Sequence, residues 1–180
     1  MDDDTFVETR LGFLLKKPAT WRFVPAPWSP AQQLHPTLDH DAEWDLFANK
    51  PFCGAMKPPV NPRHAFATLQ VSARPMVPPN ETEAAAMLDG VLGILRNQNP
   101  NAEILEATSR GMVAGYRSNL LKCRFSLRVD QEAVSVGVIS RTYVIFAPRY
   151  VFTLGLSSSD DPAFYEEAEF AEIISSLQLT

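Results

Sequence analysis

The chain has 180 residues, of which 46% are apolar and 21% charged, and its formal net charge is −5. A chain of this length can bury a core without disulfides, and its acidic balance disfavours general attraction to nucleic acid or anionic membranes. No apolar run approaches the roughly 18–20 residues that cross a bilayer. The start, Met-Asp-Asp-Asp, is the reverse of a basic signal-peptide start, so we expect a cytoplasmic protein unless a signal peptide has been removed.

The first predicted elements are two short strands. Leu11, Phe13 and Leu15 alternate before the segment Lys-Lys-Pro-Ala-Thr, and Trp21 and Phe23 alternate after it. Such alternation is typical of strands, and a proline in a short connecting segment is typical of a turn. We therefore predict a hairpin that turns at this segment and places the tryptophan in the core.

Residues 25–62 form a proline-rich segment that holds eight of the fifteen prolines. Proline lacks an N–H donor and biases its predecessor away from helix, which predicts a loop or short edge strands within one domain spanning 1–180. Trp28 and Trp44 lie in this segment. Tryptophan commonly anchors a loop to its own domain, and it is also enriched at partner contacts. Both interpretations stay open.

The same segment contains the best candidate for a metal site. Two imidazoles and several carboxylates fall within eleven residues: His35, Asp39, His40, Asp41, Glu43 and Asp45. Such groups can reach one divalent ion. Because acidic loops are common for solubility alone, we interpret the cluster as solvated and expect neither a metal nor a cofactor.

A strand and then a helix are predicted after the proline-rich segment. In residues 64–74, small and β-compatible side chains alternate, which favours a strand. Asn80 and Glu83 have the spacing of a capping box, and Pro100 ends the pattern, so a helix lies between them. Its apolar stripe is Ala84, Met87, Leu88, Val91, Leu92 and Leu95.

A short strand at 102–108 and a meander of three antiparallel strands follow, over residues 119–129, 134–146 and 150–156. The first strand of the meander has an apolar face of Leu121, Cys123, Phe125, Leu127 and Val129. A last helix, capped by Asp160 or Asp161, has an apolar stripe of Phe170, Ile173, Ile174 and Leu177. Helices beside a run of antiparallel strands predict an α+β fold with an antiparallel sheet, not a parallel βαβ fold.

This order of elements resembles the PsbP-like superfamily, which includes the PsbP subunits of photosystem II, bacterial DcrB proteins and Ran-binding Mog import factors. The resemblance is carried by "GFLLKKPATW", by "GYRSNLLKCRFSLRV" through "YVFTLGLSSS", and by the final "FAEIISSLQLT", and it covers roughly residues 10–24 and 64–180. It implies an α/β/α sandwich and protein-binding roles without shared enzymatic chemistry. No functional residue is carried over, because members of the group do unrelated things.

No catalytic signature is present in the sequence. It contains no glycine-rich phosphate loop, GxSxG elbow or HExxH pair. Cys53 and Cys123 form no CxxC pair, and the strand pattern points Cys123 inward, so we expect a buried thiol there. Binding modules lack catalytic motifs more often than enzymes do, so this absence favours a binding module.

The charge distribution is more informative. Residues 107–149 have a net charge of about +5, which leaves about −10 for the remainder. One strand places three basic residues on its outward face, and two residues of the next strand are in phase with them. With the two tryptophans, they form the set of candidate partner-binding residues: Lys122, Arg124, Arg128, Arg141, Tyr143, Trp28 and Trp44.

Two interpretations of this basic face stay open. A row of arginines beside a tyrosine can recognise another protein with an acidic surface. Alternatively, acidic residues of the terminal helix or the N-terminus neutralise the row within the fold, as cross-strand pairs commonly do.

Three functional hypotheses remain, in this order. The first is a non-enzymatic protein-binding or adaptor domain that uses the basic face or the proline-rich loop. The second is a small-molecule or lipid carrier with an apolar cavity lined by Met87, Leu92, Phe125 or Phe152. The third is an enzyme with dispersed residues, which needs a polar pocket containing His64 or the acidic loop.

Overall fold

The structure is a computed structural model that describes residues 4–24, 51–58, 64–129 and 134–180. Trp28, Trp44 and the acidic cluster of residues 35–45 lie outside the described residues, as does most of the segment predicted to be a loop or insertion. Arg128 is described by its backbone alone.

The larger of two sheets in the described residues has seven antiparallel strands in the order β3-β4-β5-β9-β8-β7-β6. Its strands are β3 Arg22–Phe23, β4 Cys53–Met56, β5 Thr68–Pro75, β6 Glu103–Val113, β7 Tyr116–Val129, β8 Val134–Phe146 and β9 Tyr150–Ser159. The predicted meander is β7-β8-β9, in which each strand pairs with the next over its length.

A second, three-stranded sheet joins the two ends of the described chain. Its strands are β1 Thr5–Glu8, β2 Phe13–Lys16 and β10 Gln178–Leu179, with β2 in the middle. The helices are α1 Glu81–Gln98 and α2 Glu167–Ser176. Within the described residues, no helix is both long enough and apolar enough to traverse a membrane.

The seven-stranded sheet has two covered faces. We call the face that carries Leu69, Leu154 and Leu156 the front face; α2 and the small sheet pack on it and form the main core with Phe13 and Phe170. These five side chains are each at most 1% exposed. Burial on this scale is the dominant stabilising contribution to such a fold.

The opposite side, which carries Val144, Phe146 and Val151, is the back face, and α1 crosses it. Ala84 of α1 packs against the two buried members of that set, and the side-chain amide of Asn119 donates to the Ala84 carbonyl at 2.8 Å. Helices thus lie on both faces of one antiparallel sheet, which confirms the predicted α+β architecture.

The helix predicted after Asn80 is confirmed, including its cap. The Asn80 side chain accepts from the Glu83 amide at 3.0 Å, and the Glu83 carboxylate accepts from the Asn80 amide at 2.8 Å. Two orphan N–H groups of the first turn are satisfied in this way. The buried thiol predicted for Cys123 is also confirmed, since this residue is 5% exposed.

The predicted N-terminal hairpin is wrong. The chain does turn after β2, with the Trp21 amide donating to the Pro18 carbonyl at 2.9 Å, but β2 pairs with β1 and β10, whereas β3 pairs with β4. Trp21 lies where the chain passes from the small sheet to the large one, and its buried ring packs against Phe170 of α2 at 6.1 Å between centroids.

The predicted start of the last helix is also wrong. The helix begins at Glu167, and its N-cap residue Glu166 makes no side-chain cap bond. Asp161 caps an earlier turn instead, accepting from the Ala163 amide at 3.0 Å through its carboxylate. An aspartate followed by proline favours either structure, so local sequence alone does not distinguish them.

The strand predicted at 102–108 is longer than expected, because β6 runs from Glu103 to Val113 and ends in a tight turn with β7. Ala114 and Gly115 form this turn with φ values of 50° and 82°. Two register shifts interrupt the β6–β7 pairing, between Ile104 and Glu106 and between Thr108 and Gly111. These irregularities obscure the period-two pattern of β6 in the sequence.

Candidate functional site

The described basic residues predicted to bind a partner lie together on the front face. Lys122 of β7 is directly opposite Arg141 of β8, and Arg124 and Tyr143 occupy the same face two positions away. We call these four residues the basic strip. Arg128 lies further along β7, opposite Ser135.

Arg141 is the buried member of the basic strip, at 8% exposure. Its guanidinium donates to the Glu167 carboxylate and to the Tyr165 hydroxyl, the latter at 2.8 Å, and it lies 5.8 Å from the Tyr165 ring centroid. Burial opposes the ionised form of Glu167, but the hydrogen bonds from Arg141 and Tyr165 outweigh it and lower the pKa of Glu167. Arg141 thereby fixes the start of α2 to the sheet.

Lys122 lies at the edge of this arrangement. Its ammonium is 3.7 Å from the Glu167 carboxylate and 5.5 Å from the centroid of the Tyr165 ring. The first distance is an ion pair without a close hydrogen bond. Among the described residues no acceptor lies within hydrogen-bond distance of this ammonium, and Glu106 of β6 is opposite Lys122 in the sheet register.

Arg124 is the most exposed of the basic strip, with 45% of its side chain accessible. It donates one hydrogen bond, of 2.9 Å, to Glu103 of β6, and its Nε is 3.9 Å from the Asp160 carboxylate. Asp160 approaches because Gly137 has no side chain: a Cβ there would lie 2.1 Å from an Asp160 oxygen.

Tyr143 completes the basic strip as a half-buried phenol. Burial raises its pKa, and nearby Arg141 lowers it by a smaller amount. The hydroxyl is consequently neutral at physiological pH and acts as a hydrogen-bond donor as well as an acceptor.

The carboxylates that accompany the basic strip come from three distant segments: Glu103 from β6, Asp160 from the end of β9 and Glu167 from α2. The sequence predicted that acidic residues of the terminal helix or the N-terminus would neutralise the basic face, and Glu167 belongs to that helix. The pairing with Glu103 and Asp160 depends on the β6–β7 register and on the space above Gly137, neither of which local patterns reveal.

The His64 neighbourhood is the described part of the enzyme hypothesis. His64 Nδ1 lies 3.4 Å from the Ser159 hydroxyl and 3.9 Å from the Asp161 carboxylate, and its ring stacks on Phe164 at 4.1 Å. A hydrolytic triad uses one imidazole nitrogen for the serine and the other for the acid. Here both contacts involve Nδ1 and Ser159 is 2% exposed, so this geometry supplies no accessible nucleophile.

The residues predicted to line one apolar cavity are separated by the sheet. Phe152 packs on the front face against Phe13 at 5.6 Å between ring centroids, whereas Met87 packs with the back-face cluster of Phe146. Phe125 alternates with the front-face residue Arg124 and so belongs to the back. Phe152 therefore cannot line the same cavity as Met87 or Phe125, and the carrier hypothesis, which needs any one of these side chains, stays a prediction.

Comparisons with known proteins identify the fold. The sequence matches no protein-family model and no curated protein. A structure from Bacteroides thetaiotaomicron VPI-5482 superposes with a TM-score of 0.52 and 12% identity, over 100% of this chain and 49% of that one. The chain thus spans about half the length of that protein.

Two further structures are similar in size to this chain. LpqN, involved in cell envelope biogenesis of Mycobacterium tuberculosis, has a TM-score of 0.58 and 18% identity, over 93% of this chain and 83% of that one. Cyanobacterial PsbP (CyanoP) from Synechocystis sp. PCC 6803 has a TM-score of 0.56 and 14% identity, over 98% and 91%. The chain therefore has the α+β fold that its sequence pattern predicted, in the PsbP-like form that the resemblance implied.

Proposed function

We propose that this chain is a non-enzymatic binding domain that recognises another protein through the basic strip. The observation that supports this is a pair of cations on the front face whose donors are only partly used by the described residues. Arg124 uses one hydrogen bond of its guanidinium fork, and Lys122 has an ion pair at 3.7 Å without a hydrogen bond. A partner carboxylate can therefore bind there, either beside the existing contacts or in exchange for one of them.

The chemistry of this surface favours a partner with acidic groups spaced along an extended segment or a flat face. Guanidinium groups bind carboxylates in a planar, directional way. Tyr143 adds a neutral hydroxyl and an aromatic ring, a residue type enriched at protein interfaces. Since Glu103 and Glu167 are more than half exposed, partner carboxylates can compete with them for the same cations.

Contact through Arg128, Trp28 and Trp44 stays a prediction of the sequence and extends the same proposal. The similarity to LpqN and CyanoP supports a binding role only through the fold, because one fold serves many functions. A cytoplasmic location is likewise a prediction, and fractionation of the cells that naturally make the chain tests it.

Affinity capture with matched charge variants tests the proposal. The test variants are Lys122→Glu/Arg124→Glu and its neutral counterpart Lys122→Gln/Arg124→Gln. The control, Arg74→Glu/Arg96→Glu, reverses two exposed charges away from the basic strip. Circular dichroism and thermal unfolding first establish that every variant is folded.

We expect a protein that is captured from native extract by the wild type and by the control to be lost with the charge-reversed variant and weakened with the neutral one. Recombinant partner then gives the affinity directly. Equal affinity of wild type and both strip variants would contradict the proposal and direct attention to the proline-rich segment.

A further inference from the structure

A groove of about 440 Å³ lies where the small sheet meets the large one. It is bounded by the β1–β2 turn, residues 9–12, by the β8–β9 turn, residues 147–149, and by Leu179 and Thr180 at the end of the described chain. Its volume is within the range of about 300–1,000 Å³ typical of small-molecule sites.

The floor of the groove is apolar and rigid. Phe152 and Ala147 are 1% and 6% exposed and belong to the main core, and Leu11, Tyr150 and Leu179 pack against the same core. Tyr150 and Phe152 have ring centroids 6.1 Å apart. The half-buried Leu11, Tyr150 and Leu179 offer an apolar surface, which is held in place by packing on the buried Phe152 and Ala147.

The rim of the groove is cationic. Arg10 is oriented by Glu8, which accepts from its Nε at 2.9 Å and from its NH2 at 3.2 Å, and this leaves donors on the outer edge of the guanidinium. Arg149 is exposed, and no carboxylate of the described residues forms an ion pair with it. No aspartate or glutamate is among the described residues that line the groove.

Gly12 fixes the shape of this groove. Its φ is +62°, and a Cβ there would lie 2.2 Å from the Thr180 oxygen, so glycine allows β10 to close against the turn. The Thr180 amide donates to the Gly12 carbonyl at 2.9 Å. The β1–β2 turn and the end of the described chain are therefore held together without a ligand.

We propose that this groove binds a small organic anion, a carboxylate or a phosphate monoester that carries a short apolar or aromatic body. Arg149 and the free edge of Arg10 take the anionic group, because guanidinium donors match the geometry of both carboxylate and phosphate. The apolar body lies on Tyr150, Leu11 and Leu179. This site is distinct from the basic strip and does not depend on the proposed protein-binding role.

Titration of the ¹⁵N-labelled chain with phenylacetate, phenyl phosphate and benzyl alcohol tests the proposal. The first two probes share an aromatic ring and differ in the anionic group, and the third lacks the charge. The variants are Arg149→Gln and the matched control Arg96→Gln, which removes an exposed charge from α1. Neither substitution touches the core, so folding is preserved and the spectra verify it.

We expect saturable amide shifts at residues 9–12 and 147–152 with at least one anion, an affinity about tenfold weaker in Arg149→Gln, and no change in Arg96→Gln. Which anion binds more tightly distinguishes carboxylate from phosphate ligands. The proposal is overturned if neither anion gives saturable shifts at these residues, if Arg149→Gln binds as well as the wild type, or if benzyl alcohol binds equally.

Discussion

Glu169 connects three parts of the molecule through one carboxylate at the start of α2. It accepts from the Trp21 indole at 2.6 Å, from the Thr20 hydroxyl at 3.1 Å and from the Lys57 ammonium at 3.1 Å. Lys57 also donates to Glu166 at 2.8 Å. This network holds α2 against β4 and against the segment that leaves β2. It accounts for the path of the chain that the predicted hairpin missed.

The same network predicts how stability depends on pH. Burial opposes the ionised form of Glu169, but hydrogen bonds from Trp21 and Lys57 outweigh it and hold the pKa of Glu169 below its ordinary value of 4.5. A carboxylate with a lowered folded-state pKa contributes stability at pH above the unfolded-state value, and this contribution is lost as pH falls through the folded-state value.

We expect Glu169→Gln to lower the free energy of unfolding at pH 7 by about 1–2 kcal/mol, since the donors of Trp21 and Lys57 lose a charged acceptor. Below pH 4.5 the difference from the wild type narrows. Urea unfolding between pH 3 and pH 7 measures both effects. This account of the network would be contradicted if the wild type and Glu169→Gln had the same free energy of unfolding, or if their difference stayed constant with pH.

The two thiols give a second prediction at the scale of single residues. Burial raises the pKa of Cys53 to about 12 and also raises the pKa of Cys123. Because the thiolate is the reactive form, neither residue should react readily with a disulfide reagent at pH 8 in the folded protein, and both should react after unfolding in urea. Rapid labelling of either thiol without denaturant would contradict the burial of that thiol in the folded protein.

At the scale of elements, α1 depends more on its own sequence than on packing. Only Ala84 and Leu88 of its described residues are buried, and its start is secured by the Asn80 capping box. Two glycines, Gly90 and Gly93, lie in its interior, and a Cβ at either position meets nothing within 4 Å. Glycine in a helix interior is unfavourable because of its backbone entropy.

We therefore expect Gly90→Ala and Gly93→Ala each to stabilise the protein by about 0.5–1 kcal/mol, measured by urea unfolding. Gly115→Ala is the informative contrast. A Cβ there also meets nothing within 4 Å, but φ is +82°, so the change should destabilise by about 1–2 kcal/mol. If the helix and turn substitutions changed the free energy of unfolding in the same direction, the assigned backbone conformations would be contradicted.

The elements that the sequence predicted well are the long ones with a clear period. The alternation of β7 and β8 identified both strands and placed Lys122 and Arg141 on one face, as their register confirms. Short elements were harder to predict from the sequence. The four residues of β2 and the two of β3 alternate alike, yet β2 lies between β1 and the remote β10, and β3 pairs with the remote β4. Local patterns carry no information on such pairings.

The candidate site, too, could be predicted only in part from the sequence. Its cations follow from strand periodicity, but its carboxylates do not. Glu103 reaches Arg124 through the register of β6 and β7, and Asp160 reaches it over Gly137. The groove at Arg149 was missed altogether, because it forms where residues 9–12 meet residues 147–149 across two sheets.

At the scale of the whole molecule, the seven-stranded sheet packs against different elements on its two faces. The front face bears the main core and, on β7 and β8, the basic strip; the back face is crossed by α1. The small sheet closes the front by pairing the last described strand with β2. Both proposed binding surfaces then lie at the margins of the front face, where the cover by α2 and the small sheet ends.

Site-specific photo-crosslinking tests the central claim, partner recognition at the basic strip, most directly. A photoreactive amino acid replaces Ser126, which is exposed and two positions from Arg124 on the same face of β7, and in a control chain it replaces the exposed Asn97 of α1. In the cells that naturally make the chain, we predict a specific crosslinked protein from position 126 that is absent from position 97 and lost when Lys122→Glu/Arg124→Glu is added. Identical products from both positions, or products that persist with the charge reversal, would contradict the account.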